Sequence, residues 1–254
     1  MRTIRASTFG FALFLLLFAL RGYATSETLR PDQYSGAFGD LSDIYLNDNS
    51  DWWSEIPRAH GGVPPGEFLA GPPEPQNFQI LGISVWRSSP NWPQKIVRAL
   101  GRATVIERGD ASTGRHQICY KSAANYRRTS LIFESGECSE SFYLFEEGGP
   151  FAGSDRCVSS TQVNQNLKTP AGLGLGLTPS GVVKLLGPHS LKRPDFFVYK
   201  YNLKMKRTKE EIESERREDP TLGLPDLEYD SDLSLLIRFR NGRLWYLYVT
   251  TEFC

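Results

Sequence analysis

Two segments of this chain end a helix in the same way, and that repetition constrains the fold more than any other feature. Ile96-Val97-Arg98-Ala99-Leu100-Gly101 and Val182-Val183-Lys184-Leu185-Leu186-Gly187 match residue class for residue class. Each closes on glycine, the residue best suited to the left-handed conformation just past a helix end. The starts fit too: Pro93 lies near a first turn, and Thr178-Pro179 pairs an N-cap hydroxyl with proline at the first helical position. Downstream, Ile118-Cys119-Tyr120-Lys121 is paralleled by Phe197-Val198-Tyr199-Lys200. The strand, turn, strand series Leu131 to Leu144 around Ser135-Gly136 is paralleled by Leu235 to Val249 around Asn241-Gly242. Matches that keep one order along the chain predict a duplication of about 75 to 95 residues.

The predicted unit is a helix followed by an antiparallel meander. In the first copy, Phe78 to Trp86 reads as a strand-like entry, Trp92 to Leu100 as a short amphipathic helix, and 117–121, 129–133 and 141–145 as strands rich in β-branched and aromatic residues. In the second, Cys157 to Val163 resembles a strand and Gly181 to Leu186 is helical. The expected fold is therefore α+β, with two tandem units of short helices packed on an antiparallel sheet and an irregular N-terminal extension. The divisions fall at 1–24, 25–76, 77–150 and 151–254. Within the last, residues 203–230 form a charged insertion in a hairpin, with Lys209, Glu213 and Arg217 at helical i,i+4 spacing.

Met1 to Ala24 reads as a cleavable export signal: Arg2 and Arg5, an apolar run from Phe9 to Leu20, then Gly22-Tyr23-Ala24. The run is shorter than the roughly 20 apolar residues a bilayer span needs. A mature chain starting at Thr25 has no transmembrane span, and its localisation is periplasmic or secreted. The full chain holds 29 basic and 29 acidic residues, so loss of Arg2, Arg5 and Arg21 leaves a formal charge of −3. That near balance gives no electrostatic basis for binding nucleic acid. The extension 25–76 is rich in Pro, Gly and Asp, but Asp51-Trp52-Trp53 and Phe68-Leu69 give it apolar points that can dock on the folded body.

Four cysteines in an exported chain, Cys119, Cys138, Cys157 and Cys254, predict two disulfides with three possible connectivities. Local closure favours Cys119 with Cys138 and Cys157 with Cys254. The runner-up is Cys138 with Cys157 and Cys119 with Cys254, because a strand between the first two would hold their Cα atoms about 9 to 10 Å apart.

Motifs for chemistry are sparse. Gly172-Leu173-Gly174-Leu175-Gly176 lacks the GxGxxG turn and the Gly-Lys-Ser/Thr of phosphate loops, and reads as backbone packing before a helix. Asp110, Ser112 and His116 crowd into one loop-like stretch, whereas a triad draws its members from distant loops. His60, His116 and His189 are scattered, so no catalytic, cofactor-binding or metal-ligating set is expected.

Leu173-Gly174-Leu175-Gly176-Leu177-Thr178-Pro179 through Val182-Val183-Lys184-Leu185-Leu186-Gly187-Pro188 resembles the signature of the SmpA/OmlA (BamE-like) domain family. The tandem order is similar to that of the β-lactamase inhibitor protein family, whose two helix-and-sheet copies form a concave sheet. The resemblance implies a two-layer α+β body without catalytic machinery that recognises another protein through its sheet face and loops. The expected function is thus an exported, non-enzymatic recognition or envelope scaffolding protein without a cofactor, whose partner is another exported or envelope protein. The alternatives are an inhibitor of an extracellular or periplasmic enzyme, and an enzyme with its site in the groove between repeats. Exposed aromatics on an open sheet face make a contact surface, and Tyr143, Trp245, Tyr246 and Tyr248 are the candidates.

Overall fold

The computed structural model describes residues 73–86, 92–108, 114–123, 128–136, 138–146, 154–218 and 228–253. The signal-like segment 1–24, residues 25–72 of the extension and the Asp110-to-Thr113 part of the loop lie outside them.

Eleven strands are described. They are β1 (Gln79–Ile80), β2 (Ile83–Ser84), β3 (Val105–Arg108), β4 (Arg115–Ser122), β5 (Thr129–Ser135), β6 (Ser139–Glu146), β7 (Val158–Ser160), β8 (Leu191–Lys192), β9 (Phe196–Lys206), β10 (Glu228–Arg240) and β11 (Arg243–Glu252). The helices are α1 (Trp92–Leu100), α2 (Pro179–Leu186) and α3 (Lys209–Glu218).

The α+β expectation of short helices packed on separate antiparallel units is overturned. The described chain is mostly β, and its body is a single nine-stranded sheet in the order β3-β4-β5-β6-β11-β10-β9-β8, with β7 alongside β4. The physical reason is length. A helix of 9 residues reaches only about 14 Å, too little to layer a sheet this wide. The long hairpin strands, with 11, 13 and 10 residues in β9, β10 and β11, carry the core instead. The two meanders meet last strand to last strand: β6 and β11 pair antiparallel from Glu140↔Thr251 through Phe145↔Tyr246.

Local chemistry explains the element ends. Thr178 Oγ1 accepts from Gly181 N at 3.1 Å and starts α2. Gly101 (φ 92) and Gly187 (φ 78) stop α1 and α2, each N–H returning to the helix, at 2.9 Å to Val97 O and 2.8 Å to Val183 O. Asn241 and Gly242 both take positive φ between β10 and β11, the turn that suits strand twist. Phe78 to Trp86, expected as one strand, is instead a 3₁₀ turn (Pro75–Phe78) followed by the β1/β2 hairpin, because Leu81 and Gly82 both take positive φ.

One side of the sheet packs Phe133, Phe142, Tyr199, Leu235 and Ile237 against Trp92 and Ile96 of α1, Val182 of α2 and the loop residues Leu173 and Leu175. The glycine stretch belongs to this side. A Cβ on Gly174 would lie 2.6 Å from Leu167 O, and Gly176 N donates to Leu244 O at 2.8 Å.

Cys119 pairs with Cys157, with Cα atoms 4.6 Å apart. Both expected pairings, Cys119 with Cys138 and the runner-up, are therefore corrected. β5 does separate β4 from β6, which keeps Cys119 from Cys138. β7 lies parallel to β4, with Tyr120 opposite Val158, and so brings Cys157 beside Cys119. Cys138 is also disulfide-bonded. Among the described residues, no helix is long and apolar enough to cross a membrane.

Candidate functional face

Strand alternation puts a second set of side chains on the side of the sheet facing away from α1. The pairing Cys119↔Ile132, Ile132↔Tyr143, Tyr143↔Tyr248, Leu236↔Tyr248 and Leu236↔Val198 draws one apolar row across six strands. Phe145, Tyr246 and Phe196 extend it toward one end of the strands. The next row the other way is polar, with Gln117↔Glu134, Glu134↔Ser141 and Ser141↔Thr250.

Of the expected contact residues, Tyr143, Tyr246 and Tyr248 share this face. Tyr143 and Tyr248 stack with centroids 4.5 Å apart and planes 18° apart. Trp245 is the extra residue of a bulge, since Arg238 pairs with Tyr246 and Phe239 with Leu244. Its ring lies 4.7 Å beneath the Arg240 guanidinium and 5.7 Å from Tyr246. The four are not equally accessible. Tyr143 and Tyr246 are buried at 1% and 0% exposure, whereas Trp245 and Tyr248 are half-buried.

Glu134, absent from the sequence-based candidates, is the polar centre of the face. Its carboxylate is buried and accepts from Gln117 Nε2 and from Arg115 Nη1 at 3.3 Å, with Tyr143 Oη 3.5 Å away. Burial, with the Glu134 charge adding, outweighs the hydrogen bonds from Thr250 and Tyr143 and pushes the Tyr248 phenol up to about 12. At neutral pH this hydroxyl stays protonated and serves as a hydrogen-bonding group, not a base. The polar strand-alternation position of Glu134 reads in sequence as solvent-facing, which hid it.

Farther along, Cys138, Ser139, Asn202, Asp230, Asp232 and Glu252 line an open cavity of about 310 Å³. Asp232 is engaged there by Lys200 at 3.0 Å and Asn202 Nδ2 at 2.8 Å. Among the described residues, no group of three or more His, Cys, Asp or Glu is placed to hold a metal ion. His189 sits beside Phe197 with ring centroids 4.8 Å apart, and His116 is exposed on β4.

No family model matches the chain, and no curated protein or solved structure matches it closely enough to count as a relative.

Proposed function

We propose that this is an exported, non-enzymatic recognition or envelope scaffolding protein that engages another exported or envelope protein through the sheet face opposite α1. The observation that supports the reading is the pairing of half-buried Trp245 and Tyr248 with fully buried Tyr143 and Tyr246 behind them. Aromatics that are partly open, yet fixed by rigid packing, lose little side-chain freedom on binding, which is the anatomy of an interface anchor. Farther along β11, the open cavity around Asn202 and Asp232 adds polar groups suited to the rim of such an interface. Inhibition of an exported enzyme is the special case in which the partner is that enzyme.

The experiment compares crosslinked partners captured from a periplasmic or secreted extract by the mature protein and by Trp245→Ala and Tyr248→Ala. Each substitution should reduce capture of the same partner at least about tenfold, as truncating an anchor does. Equal capture by all three proteins would remove this face from the function.

A further inference from the structure

Lys192-Arg193, Lys206-Arg207 and Arg216-Arg217 are dibasic pairs that lie wholly within the described residues, and their settings differ. Lys192 pairs with Phe197 across β8 and β9, and Arg193 N donates to Phe196 O at 2.9 Å, which closes a tight turn. The bond after Arg193 also precedes Pro194. Lys206 pairs with Glu228 next to buried Met205, and the Arg207 guanidinium lies against the Tyr229 ring. Arg216 and Arg217, in contrast, stand exposed in the last turn of α3.

The bonds that hold α3 are largely its own. Ile212 N donates to Thr208 O at 3.1 Å, and Arg217 Nε donates to Glu213 O at 3.2 Å. Neither apolar cluster of the described residues includes an α3 side chain. With 10 residues, the helix falls below the length of about 12 to 15 at which an isolated helix is even marginally stable in water. Its backbone therefore opens locally at much lower cost than a paired strand. A protease takes its substrate as an extended chain, so it cuts exposed segments that open in this way.

We infer that Arg216-Arg217 is a processing site for a trypsin-like protease, and that the cut protein persists as a folded two-chain molecule. Hydrolysis adds one water across the peptide bond, leaving an arginine carboxylate on the long fragment and a new amino group on the short one. The short fragment keeps β10 and β11, which lie between β9 and β6 in the interior of the sheet. β10 pairs with β9 from Glu228↔Lys206 to Arg238↔Phe196, and β11 pairs with β6 from Glu252↔Ser139 to Tyr246↔Phe145. Neither ladder runs through α3, so the cut leaves both intact.

A covalent tie accompanies the ladders. Cys119 is bonded to Cys157 and Cys138 is also disulfide-bonded, which leaves Cys254 as the partner of Cys138 within the chain. Phe253 N donates to Cys138 O at 3.0 Å, so the end of the short fragment already runs beside Cys138. That bridge joins the two fragments. The inference uses only exposure and pairing, and stands whether or not the sheet face recognises a partner.

The test treats the purified full mature chain with a trace of trypsin and maps the first cut within residues 73–254 by intact mass. That cut is expected after Arg216 or Arg217. The product should elute as one species, run as one band without reductant and as two with it, and keep its circular dichroism. Arg216→Gln with Arg217→Gln should slow the cut at least about tenfold and leave the Lys206-Arg207 pair untouched over the same period, because strand pairing and not competition protects it. A first cut elsewhere in that range, transfer of cutting to Lys206 or Arg207 in the double variant, or separation or unfolding of the fragments after cutting would overturn the proposal.

Discussion

The two halves of the sheet solve one problem with the same lock but are braced differently. In the first half, Tyr120 of β4 donates its hydroxyl to the carbonyl of Gly101, just past α1, at 2.6 Å. In the second, Tyr199 of β9 does the same to Gly187, just past α2, at 3.2 Å. A helix-ending glycine and a second-strand tyrosine thus tie helix to sheet twice, at positions that the sequence repeat already aligns. The braces differ. β4, β5 and β6 have 8, 7 and 8 residues, and this short half has the Cys119–Cys157 bond and β7 along its edge. The second half has longer strands that pair over the whole stretch from Phe196↔Arg238 to Lys206↔Glu228. Paired strand length and a covalent clamp are alternative ways of holding a meander.

Breaking the clamp should produce the largest effect. Cys119 and Cys157 are 38 residues apart, and the chain-entropy model gives a loop of that size about 4 kcal/mol. Replacing both with serine should lower the denaturant midpoint accordingly, with hydrogen exchange rising in β4 and β7 before β9 and β10. Equal loosening of both halves would contradict the division of labour. Non-reducing peptide mapping should return Cys119 joined to Cys157 and, with Cys138 also oxidised, Cys138 joined to the one cysteine left in the sequence, Cys254.

Alkaline pH attacks the locks of both halves. Burial pushes the Tyr120 phenol up to about 12 and raises those of Tyr199 and Tyr201 as well. The folded protein therefore keeps protons that the unfolded chain gives up near pH 10. Stability is fully present below that pH and falls as pH rises through about 12, because the unfolded state then binds fewer protons than the native state. A titration of circular dichroism should stay flat through neutral pH and drop in this window. Loss of structure well below pH 9 would assign alkaline sensitivity to other groups.

Removing the hydroxyls one at a time sharpens the comparison. Tyr120→Phe and Tyr199→Phe each delete a hydrogen bond worth about 1 kcal/mol. The shorter contact in the first half predicts the larger loss for Tyr120→Phe. A larger loss for Tyr199→Phe in urea denaturation would mean that packing, not the lock, ranks the halves.

What the sequence revealed follows the range of the forces involved. Helix ends at Gly101 and Gly187 and the Asn241-Gly242 turn are set by nearby backbone chemistry, so they are readable from short windows. The strands β3 and β8, with 4 and 2 residues, exist because a longer neighbour offers an open edge, and no local pattern announces that. The Cys119–Cys157 pairing depends on β7 finding β4 in parallel register, a long-range event that a preference for local closure misjudges. Periodicity identified the helices but not how little of a nine-stranded sheet they could cover. Of the candidate face, the aromatics were legible. The Glu134 network was not, because alternation alone does not say that residues on both sides of a sheet are buried.

The smallest effect is expected where the halves differ most in sequence. The second half alone carries α3, between the ends of β9 and β10. Lys209, Glu213, Arg216 and Arg217 are exposed there and Ile212 is only partly buried, so the helix has little apolar surface to contribute to the core. The sheet closes before it: Lys206 pairs with Glu228, Met205 is buried, and the Arg207 guanidinium lies 5.3 Å from the centre of the Tyr229 ring. Replacing residues 208–227 with a short Gly-containing turn keeps that closure and turns a long excursion into a hairpin. Shortening a loop also lowers the entropy cost of closing it, by about 0.6 kcal/mol for each halving, which offsets the lost Ile212 contact and the cation–π pairing at Arg207 should that loosen. The thermal midpoint should therefore move by no more than about 0.5 kcal/mol equivalent. A loss of several kcal/mol would show that α3 packs against the body and that the second half, like the first, needs a brace beyond its strands.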